Sequence, residues 1–187
     1  MRQVLVAAAI LLCMLGKAEA APTNVRVYVL YGQGGDFMSR GIRGLAADLE
    51  KMDSRLQVSV HEWKNHKEVA KDIAALPADT PVVLIGYSLG ANATTWISNA
   101  VAPRAIDLIV AYDPSVLMKV ESAGSNVRRV FLYHNTSAEP WGHARIRGPQ
   151  VETTETRNSH LVIADSKWLH KKTRAAVARV LAGLEAR

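Results

Sequence analysis

Val82-Val83-Leu84-Ile85-Gly86-Tyr87-Ser88-Leu89-Gly90 is the segment of this 187-residue chain from which its architecture is most directly inferred. The four aliphatic residues before Gly86 are long enough for a buried strand and too short for a helix. After Gly90 come small residues and then an apolar stripe, Ala91-Asn92-Ala93-Thr94-Thr95-Trp96-Ile97, which predicts a helix. The stretch therefore predicts a strand, a sharp turn that carries Ser88, and a helix.

Gly86, Ser88 and Gly90 form the G-x-S-x-G pattern of a nucleophile elbow. In such an elbow a serine occupies a strained strand-to-helix turn, with its hydroxyl exposed at the edge of the sheet. Side chains at the two glycines would collide with the closely packed chain. The pattern alone is a weak indication, because a serine there can simply cap a helix. The strand before it and the helix after it favour an enzyme.

The first 20 residues have the composition of a secretory signal peptide. Met1-Arg2-Gln3 is positively charged, Val4 to Leu15 is apolar, and Ala18-Glu19-Ala20 is typical of a cleavage site. We expect residues 1–20 to be removed and residues 21–187 to form one exported domain, periplasmic or secreted. The apolar stretch is too short to span a bilayer, and no later one is longer, so we expect no transmembrane segment. The single cysteine, Cys13, would leave with the signal peptide, so the remaining chain has no disulfide.

Charge and composition exclude several classes of function. The net charge is +6, and basic residues gather near the C-terminus, where we expect them on the solvated face of a helix: Lys167, Lys171, Lys172, Arg174 and Arg179. No basic stretch is interleaved with aromatic residues, and no cysteine and histidine spacing is typical of a zinc site. We therefore expect neither nucleic acid nor a metal as a partner. The sequence leaves the oligomeric state open.

Strand and helix patterns alternate along the chain. Strands are predicted at residues 25–31, 56–60, 82–85, 106–112 and 127–133, and helices at 39–52, 66–76 and 166–184. This alternation predicts an α/β fold, with a mostly parallel central sheet flanked by helices on both faces. Residues 134–160 lack periodicity and are interpreted as a loop, in which Pro140-Trp141-Gly142 is a candidate for a small lid. No insertion is large enough for a cap domain.

The residues with chemical potential follow the predicted strands. Ligand sites in parallel sheets lie beyond the carboxyl ends of the strands, where Gln33, Ser88, Asp113 and the His134 region would meet. A serine nucleophile needs an imidazole base, and a carboxylate orients that base. Ser88, Asp113 and His160 follow one another in the order that this architecture requires. Asp113 is the preferred acid because it directly follows a strand, and Glu139 is the alternative acid.

Six histidines compete for the role of base. His160 is preferred because it lies just before the final helix, a position from which a base can reach back to the elbow. His143 is the alternative. Either His134 or His143 could also line the pocket. His61 and His66 precede the serine and break the expected order, and His170 is expected to be solvated on the last helix. Two backbone donors are expected to form the oxyanion hole: the N–H groups of Leu89 and Gln33.

Taken together, Tyr31-Gly32-Gln33-Gly34-Gly35, the Ser88 elbow, Asp113-Pro114 and Ser159-His160 resemble the α/β-hydrolase superfamily. They are most similar to its small lipase-like and esterase-like members without a cap domain. Tyr31 stands where the oxyanion loop of minimal lipases has histidine. The resemblance implies hydrolysis of an ester, thioester or amide through an acyl-enzyme, without metal or cofactor. It also implies a small-molecule or lipid-like acyl substrate.

Two alternatives belong to other classes of protein. One is a catalytically silent hydrolase-like binding protein of the periplasm or exterior, which would not react with fluorophosphonates. The other is an envelope-associated interaction protein whose basic terminal helix binds anionic lipid or polysaccharide, with an affinity that salt would lower.

Overall fold

The computed structural model describes residues 24–185, so the predicted signal peptide and Cys13 lie outside the described residues. Six strands form one sheet: β1 (Val25–Tyr31), β2 (Leu56–Glu62), β3 (Val82–Tyr87), β4 (Leu108–Tyr112), β5 (Val130–Asn135) and β6 (Val151–Thr156). Their order is β2-β1-β3-β4-β5-β6, and every neighbouring pair is parallel. The predicted α/β class is confirmed, and the sheet is parallel throughout.

The helices connect these strands and cover both faces of the sheet. They are α1 (Gly35–Met38), α2 (Arg40–Met52), α3 (His66–Ala75), α4 (Leu89–Ala100), α5 (His160–Ile163) and α6 (Lys167–Glu185). A single 3₁₀ turn, Trp63–Asn65, precedes α3. Among residues 24–185, no helix is both long and apolar enough to cross a membrane.

The core is divided by the sheet into two apolar clusters. Alternate residues of a strand point to opposite faces, so Val83 and Ile85 pack with α2 and α6, whereas Leu84 packs with α3 and α4. The central strand β3 is buried along its whole length. A strand buried on both faces has a continuous apolar sequence rather than an alternating one, which is why Val82–Ile85 marks the middle of the sheet.

The structure corrects the interpretation of residues 134–160. Strand β5 extends to Asn135, and Val151–Thr156 forms the edge strand β6, within a segment that the sequence indicated to be a loop. Only one side of an edge strand is paired, and all six side chains of β6 are exposed or half-buried. Its sequence, Val-Glu-Thr-Thr-Glu-Thr, therefore lacks the apolar pattern from which strands are predicted.

Two predictions near the C-terminus are wrong. His160 begins helix α5 rather than lying in a loop. His170 is 3% exposed and not solvated, because it lies on the inner side of α6, where its ring Nε2 is 2.7 Å from the carbonyl oxygen of Ala164. Trp168, on the same helix, is 51% exposed, and the ammonium group of Lys172 lies over its ring.

Candidate active site

The register of the parallel strands brings two of the predicted site residues to the same edge of the sheet. Tyr87 pairs with Tyr112, and Tyr112 pairs with Tyr133. The next residues, Ser88 and Asp113, continue these ladders, because Ser88 N donates to Tyr112 O at 3.0 Å and Asp113 N donates to Tyr133 O at 2.8 Å. The serine and the carboxylate thus lie side by side, just beyond their strands.

Ser88 lies on a turn whose shape excludes side chains at both neighbouring glycines. Its φ of 57° and ψ of −126° are rare for a residue with a side chain, and such a conformation costs on the order of 1–3 kcal/mol. A Cβ atom on Gly86 would overlap Gly90 O and lie 2.6 Å from Ala91 Cα. A Cβ atom on Gly90 would overlap Leu30 O. These neighbours are backbone atoms, which cannot move aside cheaply.

His160 bridges the serine and the carboxylate. Its Nε2 is 3.0 Å from Ser88 Oγ, and its Nδ1 is 2.6 Å from Asp113 Oδ2. An ionised carboxylate only accepts hydrogen bonds, so Nδ1 carries the proton and Nε2 is left to accept the serine proton. His160 is 3% exposed and Asp113 is fully buried. Ser88, His160 and Asp113 therefore have the arrangement of a Ser-His-Asp triad.

Asp113 is held ionised in spite of its burial. Burial is the largest single influence and raises its pKa, but several hydrogen bonds together outweigh burial and lower the pKa below the usual range. His160 Nδ1 donates to Oδ2, and the backbone N–H groups of His143 and Asn135 donate to Oδ1, each at 3.2 Å. The charged form is thus the one that this pocket stabilises.

The backbone of His160 is fixed at both ends of the residue. Its N–H donates to Glu139 Oε2 at 2.7 Å, and its carbonyl oxygen accepts a hydrogen bond of 2.9 Å from the Tyr87 hydroxyl. Burial and nearby carboxylates raise the pKa of Tyr87, so its hydroxyl remains a donor. Glu139, the alternative acid, therefore accepts a hydrogen bond from the backbone of His160, whereas Asp113 accepts one from its ring.

Gly142 packs directly against the hydrogen bond between Asp113 and His160. A Cβ atom on Gly142 would overlap Asp113 Oδ2 and lie 2.8 Å from His160 Nδ1. One residue of the candidate lid thus covers Asp113 and His160.

The other candidate histidines are engaged elsewhere. The His143 ring contacts the carbonyl oxygens of Asn135 at 2.9 Å and Glu139 at 2.5 Å, so its ring nitrogens are directed at backbone atoms. His134 is buried beside Asp113, with its Nδ1 3.9 Å from Oδ1 of that carboxylate. Burial, aided by Arg145, lowers its pKa. Among the described residues, no group of three or more histidine, cysteine or acidic side chains is placed to hold a metal ion.

The loop after β1 borders the serine on the side expected for the oxyanion hole. A Cβ atom on Gly32 would lie 3.1 Å from Leu89 N, 3.1 Å from Ser88 Oγ and 2.8 Å from Ser88 Cβ. Because residue 32 is a glycine, the space beside the Ser88 hydroxyl and the Leu89 N–H group stays open. Gln33 follows directly, and its side chain is exposed.

Three residues that support the candidate site were not identified as such from the sequence: Tyr87, Gly142 and Asn92. Tyr87 occupies the variable second position of the elbow motif, and no pattern distinguishes its hydroxyl there from that of any buried tyrosine. Gly142 lies in the segment without periodicity. Asn92, four residues after the serine on α4, is fully buried and bonds to the loop that follows Asp113. A polar residue at a buried helix position was the one indication that the sequence offered for it.

Comparisons with known proteins give the fold but no closer relative. No protein-family model matches the chain, and no curated protein matches it. A candidate hydrolase of the alpha/beta superfamily from Xanthomonas campestris pv. campestris aligns over 86% of this chain and 99% of its own, with a TM-score of 0.59 and 15% identity. A cutinase-like protein from Cryptococcus sp. aligns over 62% of this chain and 54% of its own, with a TM-score of 0.37 and 18% identity. The first likeness confirms the predicted fold.

Proposed function

We propose that this chain, which has the α/β-hydrolase fold, is an exported serine hydrolase that cleaves an ester, thioester or amide through an acyl-enzyme. The observation that supports this most directly is the pair of distances at His160, 3.0 Å to Ser88 Oγ and 2.6 Å to Asp113 Oδ2. Hydrogen-bonded contact of a nucleophile with a base, and of the base with an orienting carboxylate, is the arrangement that acyl transfer requires.

In the first half of the reaction, Ser88 Oγ attacks the acyl carbon as its proton passes to His160 Nε2. The carbonyl π electrons move onto oxygen, where the N–H groups of Leu89 and Gln33 stabilise the oxyanion. Asp113 stabilises the imidazolium that forms. The oxyanion then collapses, the bond to the leaving group breaks, and the Nε2 proton passes to that group.

Water completes the cycle through the same groups. His160 Nε2 takes a proton from water as the oxygen attacks the acyl-enzyme carbon. The second oxyanion collapses, the bond to Ser88 Oγ breaks, and the serine recovers its proton from Nε2. The products are a carboxylic acid and the leaving alcohol, thiol or amine.

Replacement of the serine tests the reaction. Ser88→Ala is expected to lower kcat/KM on nitrophenyl esters by roughly 10⁴-fold or more and to abolish labelling by a fluorophosphonate. Ser98 is a matched control, because it is a buried serine of α4 whose hydroxyl donates to Thr95 O. Ser98→Ala should keep both turnover and labelling. Retained turnover in the Ser88→Ala protein, or no labelling of the wild type, would contradict the proposal, and the latter would favour the silent binding protein. Esters of increasing chain length would define the acyl pocket.

Export is a separate part of the proposal, supported by the composition of residues 1–20. Expression of the full chain in a bacterium, fractionation and mass determination of the exported protein should give an N-terminus at Ala21. A protein that stays in the cytoplasm with residues 1–20 attached would contradict export and leave the proposed chemistry unaffected.

A further inference from the structure

A groove lined mainly by basic side chains lies between α6 and strand β5, on the face of the sheet that α6 covers. It consists of two adjoining clefts of about 190 Å³ and 340 Å³, both lined by Phe131 and Arg179. The first cleft extends along β5 to Tyr133, and the second opens at the amino ends of β4 and β5, where Arg128 and Asp107 pair at 2.9 Å. We call the two clefts together the basic groove, and its charged side chains are Arg128, Arg129, Lys172, Arg179, Asp107 and Glu152.

Three cations of the basic groove contact aromatic rings instead of carboxylates. The guanidinium carbons of Arg129 and Arg179 lie over the Phe131 ring, 6.0 Å and 5.8 Å from its centroid. The ammonium group of Lys172 lies over the exposed ring of Trp168, at 4.7 Å from its centroid. Within residues 24–185, no ion pair joins any of these three cations to a carboxylate. Their charges are therefore left uncompensated by the fold.

The ring contacts leave these cations able to bind an anion. A guanidinium group that lies over a ring keeps its in-plane N–H donors free, and they match the paired oxygens of an oxyanion. Arg129 and Arg179 both lie within 6.0 Å of one ring centroid, so a single ligand can reach both. Two like charges at one ring repel each other, and an anion bound to both would relieve that repulsion. Phe131 is 8% exposed, so its ring supports the two arginines rather than offering a surface of its own.

The cleft that carries Arg128 and Arg129 opens at the edge of the sheet opposite to the triad. These two residues directly precede β5, and Asp107 directly precedes β4, whereas Ser88 and Asp113 follow the carboxyl ends of their strands. In a parallel sheet the two ends of the strands form opposite edges. The basic groove also runs for about 13 Å along β5, since four residue steps separate its ends in that strand. An elongated anion can therefore bind the arginines without competing with a substrate at the serine.

We propose that the basic groove binds an acidic polysaccharide, whose carboxylate or sulfate groups pair with Arg129, Arg179 and Lys172. The regularly spaced charges of such a chain match cations that are distributed along an elongated groove. A chain can enter a cleft between a helix and a strand, whereas a flat lipid surface cannot. The exposed face of Trp168 beside Lys172 can pack against a sugar ring, while single-stranded nucleic acid is bound by several aromatic rings on which successive bases stack. The protein is thus held on an anionic polymer with Ser88 accessible.

Titration calorimetry of the purified protein with dextran sulfate tests the proposal, and neutral dextran of equal length is the control for charge. We expect dextran sulfate alone to bind, with an affinity that falls as salt is raised from about 0.05 M to about 0.3 M. Arg129→Gln/Arg179→Gln should raise Kd roughly tenfold or more, because two paired contacts to oxyanions are lost. Arg129→Lys/Arg179→Lys keeps the charge but not the planar donors, and should raise Kd roughly threefold. Lys67→Gln/Lys71→Gln removes the same charge from exposed residues of α3, on the other face of the sheet, and should change Kd less than about twofold.

Circular dichroism would establish that each variant is folded. Absence of binding to dextran sulfate, equal binding of neutral dextran, or an equal loss in the groove and α3 variants would each overturn the site. Tighter binding of a single-stranded oligonucleotide or of phosphatidylglycerol vesicles, lost in Arg129→Gln/Arg179→Gln, would overturn the assignment to a polysaccharide. Fluorophosphonate labelling of the wild type with dextran sulfate bound should continue at an unchanged rate, and blocked labelling would contradict the separation of the groove from Ser88. Binding and labelling are measured independently, so this proposal and the proposed function can fail separately.

Discussion

The hydroxyl of Tyr87 donates a hydrogen bond to the carbonyl oxygen of His160 across 2.9 Å. The two rings also lie near each other, with centroids 5.4 Å apart. Tyr87 is the residue before Ser88, so the strand that leads into Ser88 also holds the backbone of His160, the proposed base. The contact between Ser88 and His160 is thereby supported by a second bond, which does not depend on the protonation of the imidazole.

Tyr87→Phe removes that bond and keeps the ring. We expect kcat to fall roughly threefold to tenfold with KM little changed, because one hydrogen bond that positions the base is lost while the substrate surface is retained. Steady-state kinetics with a nitrophenyl ester would measure the effect. Tyr112→Phe is the matched control, since its hydroxyl bonds to Thr173 in the core at 2.6 Å. That variant should lose about 1 kcal/mol of stability and keep its kcat. Equal kcat values for the two variants would contradict a positioning role for Tyr87.

Asp113 and Glu139 can be distinguished by replacing each carboxylate with its amide. Asp113→Asn should lower kcat by about 10⁴-fold, because an amide no longer fixes the tautomer of the base. Glu139→Gln should lower kcat less than about tenfold, because the amide oxygen still accepts from the His160 backbone N–H. Steady-state turnover of a nitrophenyl ester would give kcat for each variant, and the time course of fluorophosphonate labelling would give the rate at which Ser88 is phosphonylated. A larger loss in Glu139→Gln than in Asp113→Asn would make Glu139 the acid.

Gly142→Ala places a methyl group against the acid and the base. Because the new Cβ would overlap Asp113 Oδ2, the segment has to shift, and we expect a loss of about 1–3 kcal/mol in stability together with a fall in kcat. Gly44→Ala provides the comparison, because no atom lies within 4 Å of a Cβ at that exposed position of α2. It should stabilise the protein by about 0.5–1 kcal/mol. Urea unfolding would measure the stability of both variants, and turnover of a nitrophenyl ester would measure their kcat. A Gly142→Ala protein as active and stable as the wild type would exclude this close packing.

Buried His170 makes stability depend on pH. Burial is the main cause that lowers its pKa below the ordinary value of about 6.5. Its stabilising contribution is therefore complete above that value and is lost as the pH falls toward the folded-state pKa, because the unfolded chain takes up a proton that the folded chain does not.

His170→Gln should thus flatten the decrease in Tm between about pH 7 and pH 5. The glutamine amide can still donate to Ala164 O, so the comparison isolates the titration. His134 is also buried with a lowered pKa, and it should preserve part of the slope. Scanning calorimetry across this range provides the measurement. Identical slopes in the variant and the wild type would mean that His170 does not contribute.

Patterns in the sequence predict the sheet where burial dictates the residue type. Val25–Tyr31 was predicted with the bounds that the structure has, and Val82–Ile85 lies within β3, because strands buried on both faces must be apolar. Ser88 and Asp113 were found because each directly follows such a strand. The same reasoning fails where the chain pairs on one side only, as in β6, or where a polar side chain such as His170 is buried by contacts distant in sequence.

The residues that hold the site in place could not be predicted from the sequence for a related reason. Tyr87 and Gly142 act through hydrogen bonds and close packing between segments distant in the chain, such as Tyr87 with His160 and Gly142 with Asp113. Sequence spacing records neighbours along a strand or a helix, whereas these contacts depend on how two loops approach each other in space. The order of the triad residues along the chain is different, because the architecture imposes it, and it could therefore be used to predict which residues meet.

Strand β6 also affects how the sheet ends. It lies at the outer edge beside β5, and the carboxylates of Glu152 and Glu155 are exposed along it. An unpaired strand edge is a template for pairing with other chains, and repeated charges on that edge oppose such pairing. The polar composition that prevents prediction of this strand from the sequence is thus the same composition that opposes the addition of strands from other molecules at this edge.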